Sequence, residues 1–218
     1  MHYTLAIPSL RPSGTMKRTR KREDLIRVGR EIVARRGFNA TGLSDILSTA
    51  AVPKGSFYYY FESKEDFGLA IIEDFAREYQ ETLAATVGNE ALPPIERLNS
   101  YFETSIADME ANGCETGCLI GNLAQELAAQ NEVFRDRLNQ ILTSWETYFT
   151  DCLEAAYELE MLPNKTDTGN LARFILSGWQ GAMLRAKVIR SPEPLRTFIK
   201  VLFEHVLNAP IPSKSIAG

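Results

Sequence analysis

Three cysteines in 218 residues are too few for a disulfide framework, so reduced thiols in a cytoplasmic protein are the expectation. Histidine is scarcer still. Only His2 and His205 exist, which leaves little for a metal cluster or for the base that a nucleophilic enzyme needs. No Gly-rich phosphate loop and no nucleophile elbow occur. No metal site, no cofactor and no enzymatic activity are therefore expected. No run of about 18 apolar residues exists, so no membrane-spanning helix and no membrane partner are expected. Met1 to Leu10 is mildly apolar but lacks a basic flank before it, so it does not read as a signal peptide.

What is present is a polarised charge pattern. Residues 1–64 carry 12 Lys and Arg against 5 Asp and Glu, while residues 65–218 carry 12 against 23. A basic end on an acidic body suggests that one end meets a polyanion. Residues 1–16, with Pro8, Pro12 and Gly14, read as a disordered extension. The basic run Lys17 to Arg22 after Met16 suggests an alternative start.

Beyond this point every periodic segment is helical and no strand pattern appears, so an all-α fold is expected. Leu25, Val28, Ile32 and Val33 share a face of a helix from about Arg20 to Arg36, closed by Gly37. A short helix follows around Leu43, Ile46 and Leu47. Ala51-Val52-Pro53 breaks the chain, and a two-turn helix runs from Lys54 to Phe61. Ser63, with Asp66 three residues on, caps a fourth helix that reaches about Val87. Further helices are expected at Ile95–Asn112, Leu119–Ala129, Asn131–Leu159, Asp167–Arg190 and Leu195–Asn208, about nine in all. Residues 210–218 read as a flexible tail.

Two short helices joined by a tight turn form a helix-turn-helix, whose second helix enters the major groove of double-stranded DNA. Lys54 brings charge to the start of that helix, Gly55 permits close approach of a phosphate, and Ser56 offers a hydroxyl. Tyr58, Tyr59 and Tyr60 present phenols around the helix, while Phe57 and Phe61, four apart, belong to the core. Arg18 and Arg20 form a basic arm before it, and Lys64 adds charge at the next helix start.

The run Gly37-Phe38, Leu43-Ser44-Asp45-Ile46-Leu47 and Val52 through Glu65 resembles the DNA-binding domain of the TetR family over about 45 residues. The resemblance implies a three-helix DNA-binding domain (here residues 17–66) on a variable helical effector-sensing and dimerisation domain (67–209). It also implies a homodimer on a palindromic operator, repressing transcription until a small-molecule effector releases it. Lys54, Gly55, Ser56, Tyr58, Tyr60 and Lys64 fall on the family's DNA-contacting positions. One departure is Gly42, where the family often has a phosphate-binding Thr or Ser; Thr41 or a backbone N–H would have to substitute.

Two recognition helices must sit roughly 34 Å apart, one turn of DNA. Residues 167–208 are the expected interface. Small residues (Ser177, Gly178, Gly181, Ala182, Ala186) mark one helix there, and an apolar face (Leu195, Phe198, Ile199, Leu202, Phe203, Val206) marks the other. For the sensor, Cys118 opens a short helix, a position that lowers a thiol's pKa, or else it is a small buried hydrophobe; Lys187 stands in an otherwise apolar helix. Both resemble the NemR-like branch of the family, in which these positions form a redox-responsive pair answering electrophiles and oxidants. Cys114 is a candidate resolving thiol, and Cys152, on an apolar stripe, reads as structural. Two other readings stay open. A noncovalent apolar effector would fill a pocket among Phe102, Met109, Trp145, Phe149 and Trp179, or Cys118 would serve a Cys-dependent enzyme.

Overall fold

The computed structural model describes residues 14–209 and 212, with side chains from residue 18 onward. Among the described residues there are nine α-helices and no strand. Residues 1–13 of the expected extension, and all of the tail except Pro212, lie outside the described residues. Residues 14–16, expected to be disordered, instead open the first helix.

Helix α1 spans Gly14–Arg36 and buries Leu25, Ile26, Val28 and Val33. It crosses α4 (Lys64–Ala85) at Gly29, where an added Cβ would lie 2.4 Å from Phe67 Cζ. Gly37 ends α1 with φ +84°, its N–H donating to the Val33 carbonyl at 2.8 Å. Helix α2 (Leu43–Thr49) follows. The expected two-turn recognition helix divides into a 3₁₀ turn at Lys54–Ser56 and a single α-turn, α3 (Phe57–Tyr60). Phe61 ends it in extended conformation, and beneath it Phe57 and Phe61 each meet Phe67 edge-on and lie tilted against each other. The Ser63 side chain accepts the Asp66 N–H at 3.0 Å, and the Asp66 carboxylate accepts the Glu62 N–H at 3.0 Å. That reciprocal pair fixes where α4 begins.

The body is α5 (Pro94–Ala111), α6 (Leu119–Leu127), α7 (Glu132–Glu158), α8 (Thr168–Ile189) and α9 (Glu193–Val201). Asn131 and Asp167 cap α7 and α8 by accepting the Phe134 and Asn170 N–H groups at 3.0 and 2.9 Å. Helix α7 packs on α4, α5, α6 and α8, and α8 packs on α9. The last helix departs from expectation: after Val201 the chain widens into a π-helical segment, Leu202–Val206. Its apolar face is not free for a partner. Leu195, Ile199, Leu202 and Phe203 are buried within the chain, and Phe198 fills the space over Gly178, 2.5 Å from where a Cβ would stand. That face was expected at the dimer interface, but the chain consumes it to close its own core.

Candidate functional site

The head formed by α1 to α3 carries the candidate nucleic-acid interface. Lys54 and Gly55 are exposed, and nothing lies within 4 Å of a Cβ built on Gly55. Tyr58 and Tyr59 are 70% and 59% exposed, large values for aromatic side chains. The Arg18 guanidinium stacks over the Tyr59 ring at 4.5 Å, and Arg22 sits over Phe61 at 5.0 Å. The basic arm is thereby drawn alongside α3. Arg20 is exposed and Ser56 is half-buried.

Three residues expected to touch DNA are placed otherwise. Thr41 is 1% exposed, and its hydroxyl donates to the Gly37 carbonyl at 2.6 Å. It locks the α1–α2 corner and is closed off from solvent. Lys64 donates to the Phe38 carbonyl at 2.9 Å, with its ammonium over the Phe38 ring. Tyr60 packs partly on the core. Gly42, where a phosphate contact was missing, is the N-cap of α2 with no side chain to offer, so only backbone N–H groups remain there.

A second candidate lies in the body. A cleft of about 270 Å³ opens between α4 and α5, lined by Arg30, Tyr79, Ser105, Asp108, Met109 and Cys118 among others. Arg30 comes from α1 of the head and pairs with Asp74 and Glu78 of α4. The Tyr79 hydroxyl shares a 2.5 Å hydrogen bond with that of Tyr101, which is buried behind the cleft wall. Burial pushes both phenols above their ordinary range, so they stay protonated. Asp108 is also raised, first by burial and then by Glu78. A larger groove of about 440 Å³ lies on the head between α1 and α2. It is walled by charged residues such as Glu31, Arg35, Arg36 and Asp45, and it offers an apolar guest no dry surface.

Cys118 is the N-cap of α6, and its Sγ accepts the Gly121 N–H at 3.5 Å. The expectation of an acidified thiol is reversed. Burial raises its pKa and outweighs the lowering by the Gly121 N–H and Gln180. Lys187 is half-buried on α8, with its Cδ 3.6 Å from a Cβ built on Gly117. It therefore lies beside Gly117, the residue before Cys118. Cys114 is buried with φ +55° and does not line the cleft, which removes the ready access a resolving thiol needs. Cys152 donates to the Pro94 carbonyl at 3.3 Å, and burial pushes its thiol up to about 12.

The aromatic pocket expected among Phe102, Trp145, Phe149 and Trp179 is solid core. Phe102 and Trp179 stack edge-on at 4.8 Å, Tyr101 and Phe149 at 5.0 Å, and all four of the predicted side chains are essentially inaccessible. Of that set only Met109 reaches the cleft. Arg30, Tyr79, Ser105 and Asp108 were missed. Their one trace in the sequence is polar groups at helical spacing on otherwise apolar faces.

Two family models match: "Bacterial regulatory proteins, tetR family" over residues 25–71 and "Tetracyclin repressor-like, C-terminal domain" over residues 94–202. The chain is 37% identical over 192 residues to the HTH-type transcriptional repressor DhaR of Mycobacterium sp. (strain GP1), covering 88% of this chain and 95% of that one. It is 33% identical over 187 residues to the HTH-type transcriptional repressor NemR of Escherichia coli K12, covering 86% and 92%. The crystal structure of the reduced form of E. coli NemR superposes with a TM-score of 0.78 at 31% identity, covering 89% of this chain and 99% of that one. The chain belongs to the TetR family, in its NemR-like branch. It is a DNA-binding transcriptional regulator with an N-terminal helix-turn-helix.

Proposed function

We propose that this regulator is a homodimeric repressor that leaves a palindromic operator when a small molecule occupies the α4–α5 cleft and reacts with Cys118. The observation that carries the reading is the cleft itself. Among the described residues it is the place where a cysteine, polar hydroxyls and a residue of the DNA-binding head, Arg30, line one cavity. Arg18, Arg20, Lys54, Gly55, Ser56, Tyr58 and Tyr59 form the DNA-facing surface. Gly55 supports this: no described residue lies within 4 Å of a Cβ built there, so its backbone is open to close approach by a phosphate.

The dimer forms through α8 and α9 using a different face from the one first expected. Phe174, Leu184 and Val188 are exposed at helical spacing on α8, with Gly181 open between them. Four such helices across a two-fold axis bury that stripe.

An α,β-unsaturated carbonyl is the simplest electrophile for the site. Cys118 Sγ bonds to the β-carbon, the carbon–carbon double bond is consumed, and the thiol proton ends on the α-carbon. Nothing is oxidised. The Tyr79 hydroxyl stands in the same cavity to hold the carbonyl oxygen. A second reading has its own support: burial keeps Cys118 protonated, which favours a noncovalent guest held by the Tyr79 hydroxyl and Arg30.

Selection of bound DNA from random sequence, with and without N-ethylmaleimide, tests both readings. A short palindrome lost on treatment, and retained by Cys118→Ser, supports the covalent reading. Release of Cys118→Ser by the same reagent refutes it.

A further inference from the structure

The corner between α1 and α2 is an unusual object. Gly37 is left-handed, and the next two backbone N–H groups, of Phe38 and Asn39, point the same way. Successive N–H groups after a left-handed residue make an anion-binding concavity. Here the anion is supplied from within. The Glu126 carboxylate accepts the Phe38 N–H at 2.8 Å through Oε2 and the Asn39 N–H at 2.6 Å through Oε1. Any side chain at position 37 would collide with it, since a Cβ there would lie 2.8 Å from Glu126 Oε2.

The contact is reinforced on both sides. Asn39 Nδ2 donates to Gln130 Oε1 at 3.3 Å, and Asn131 Nδ2 donates to Glu65 Oε2 at 2.5 Å. The Phe38 ring meets Phe134 edge-on at 5.2 Å. The carbonyls of the same corner are held by Lys64 and Thr41. The segment that leads into α2, and so to the recognition helix, is clamped on both polar edges.

Glu126 belongs to the nine-residue helix α6, whose N-cap is Cys118. One face of α6 is buried through Leu119, Ile120, Leu123 and Leu127, and the helix is unbroken between its two ends. About 12 Å separates its two ends at 1.5 Å per residue. One end lies in the cleft, and the other plugs the head.

We infer that α6 is a strut and that Glu126 is the positioning residue through which occupancy of the cleft is read by the DNA-binding head. This rests on the proposed cleft as the effector site, but not on covalent chemistry there. A guest at Cys118 displaces the α6 N-terminus, withdraws Glu126 from the Phe38 and Asn39 N–H groups, and frees the corner to turn.

Hydrogen exchange by mass spectrometry on the full chain tests this without any operator. In Glu126→Gln the amides of residues 38 and 39 exchange about tenfold or more faster, because a charge-assisted pair is lost. Cys118→Phe, which fills the cleft permanently, speeds the same amides in the wild-type background and adds nothing in Glu126→Gln. If Cys118→Phe does not fold, wild type alkylated at Cys118 with N-ethylmaleimide takes its place. Effects of the two substitutions that simply multiply overturn the strut. So does a filled cleft, by either route, that leaves residues 38 and 39 unchanged; alkylation that releases DNA without moving them keeps the covalent reading and discards the strut. Failure of Cys118 to alkylate, while Cys118→Phe still frees the corner through Glu126, supports the strut and discards the covalent reading.

Discussion

Two lysines separated by ten residues should behave oppositely on DNA. Lys54 is exposed at the start of the recognition segment and makes no ion pair among the described residues. Lys64 is tied to the Phe38 carbonyl at 2.9 Å. Each phosphate neutralised on B-DNA contributes about 0.9 to the slope of log K against log salt. A dimer carries two copies of Lys54, so Lys54→Ala should flatten that slope by about 1.8. Across a fourfold rise in salt, from about 50 to 200 mM, the affinity loss of the variant should then be about tenfold smaller than that of wild type. Lys64→Ala should leave the slope unchanged. It should instead lower stability by roughly 1 kcal/mol, since a half-exposed charge-assisted hydrogen bond is lost. For a chain of this size that is about 2–4 °C in Tm. Fluorescence anisotropy on the selected DNA, repeated over a salt series, measures the slopes, and a thermal melt measures the rest. Equal slopes for wild type and Lys54→Ala, or equal slope losses for the two variants, would refute the assignment.

Burial raises the Cys118 thiol, so its alkylation by iodoacetamide should accelerate about tenfold per pH unit through neutral and mildly alkaline pH. A plateau near neutrality, followed by peptide mass, would mean an activated thiolate and contradict that direction. Phe102→Ala opens a cavity among Tyr101, Phe149 and Trp179, and should cost roughly 3–5 kcal/mol in denaturant unfolding. A loss below about 1 kcal/mol would show that the cluster collapses or is not packed as described. Val188→Glu places a charge on the exposed α8 stripe, 63% accessible in the single chain, and should shift sedimentation toward monomer with the helical circular dichroism intact. A dimer of wild-type strength would move the interface elsewhere.

Much of the fold was legible from residue pattern alone. Helix positions follow from the 3.6-residue period, and their ends follow from Gly37, Ser63, Asn131 and Asp167, each of which acts through its own backbone neighbourhood. The helix-turn-helix is equally local: a break at Pro53 between two short helices needs only adjacent residues to specify it. For the same reason Phe57 and Phe61, four apart, could be assigned to the core; which of Tyr58, Tyr59 and Tyr60 faces out could not.

Tertiary structure decided whatever depends on which faces meet. The apolar face of the last helix was visible, but not that α5 and α8 would consume it, leaving Phe174, Leu184 and Val188 outside. The four aromatics of the expected pocket were correctly apolar. Whether such a set encloses space or fills it is a matter of packing between helices far apart in sequence. Cys118 shows the competition most directly. Its position at a helix N-terminus is local and favours the thiolate; its burial is global and favours the thiol, and desolvation is the larger effect. Glu126 gave no sign of its role in a helix of ordinary composition. Only the fold brings its carboxylate to two backbone N–H groups 88 and 87 residues away.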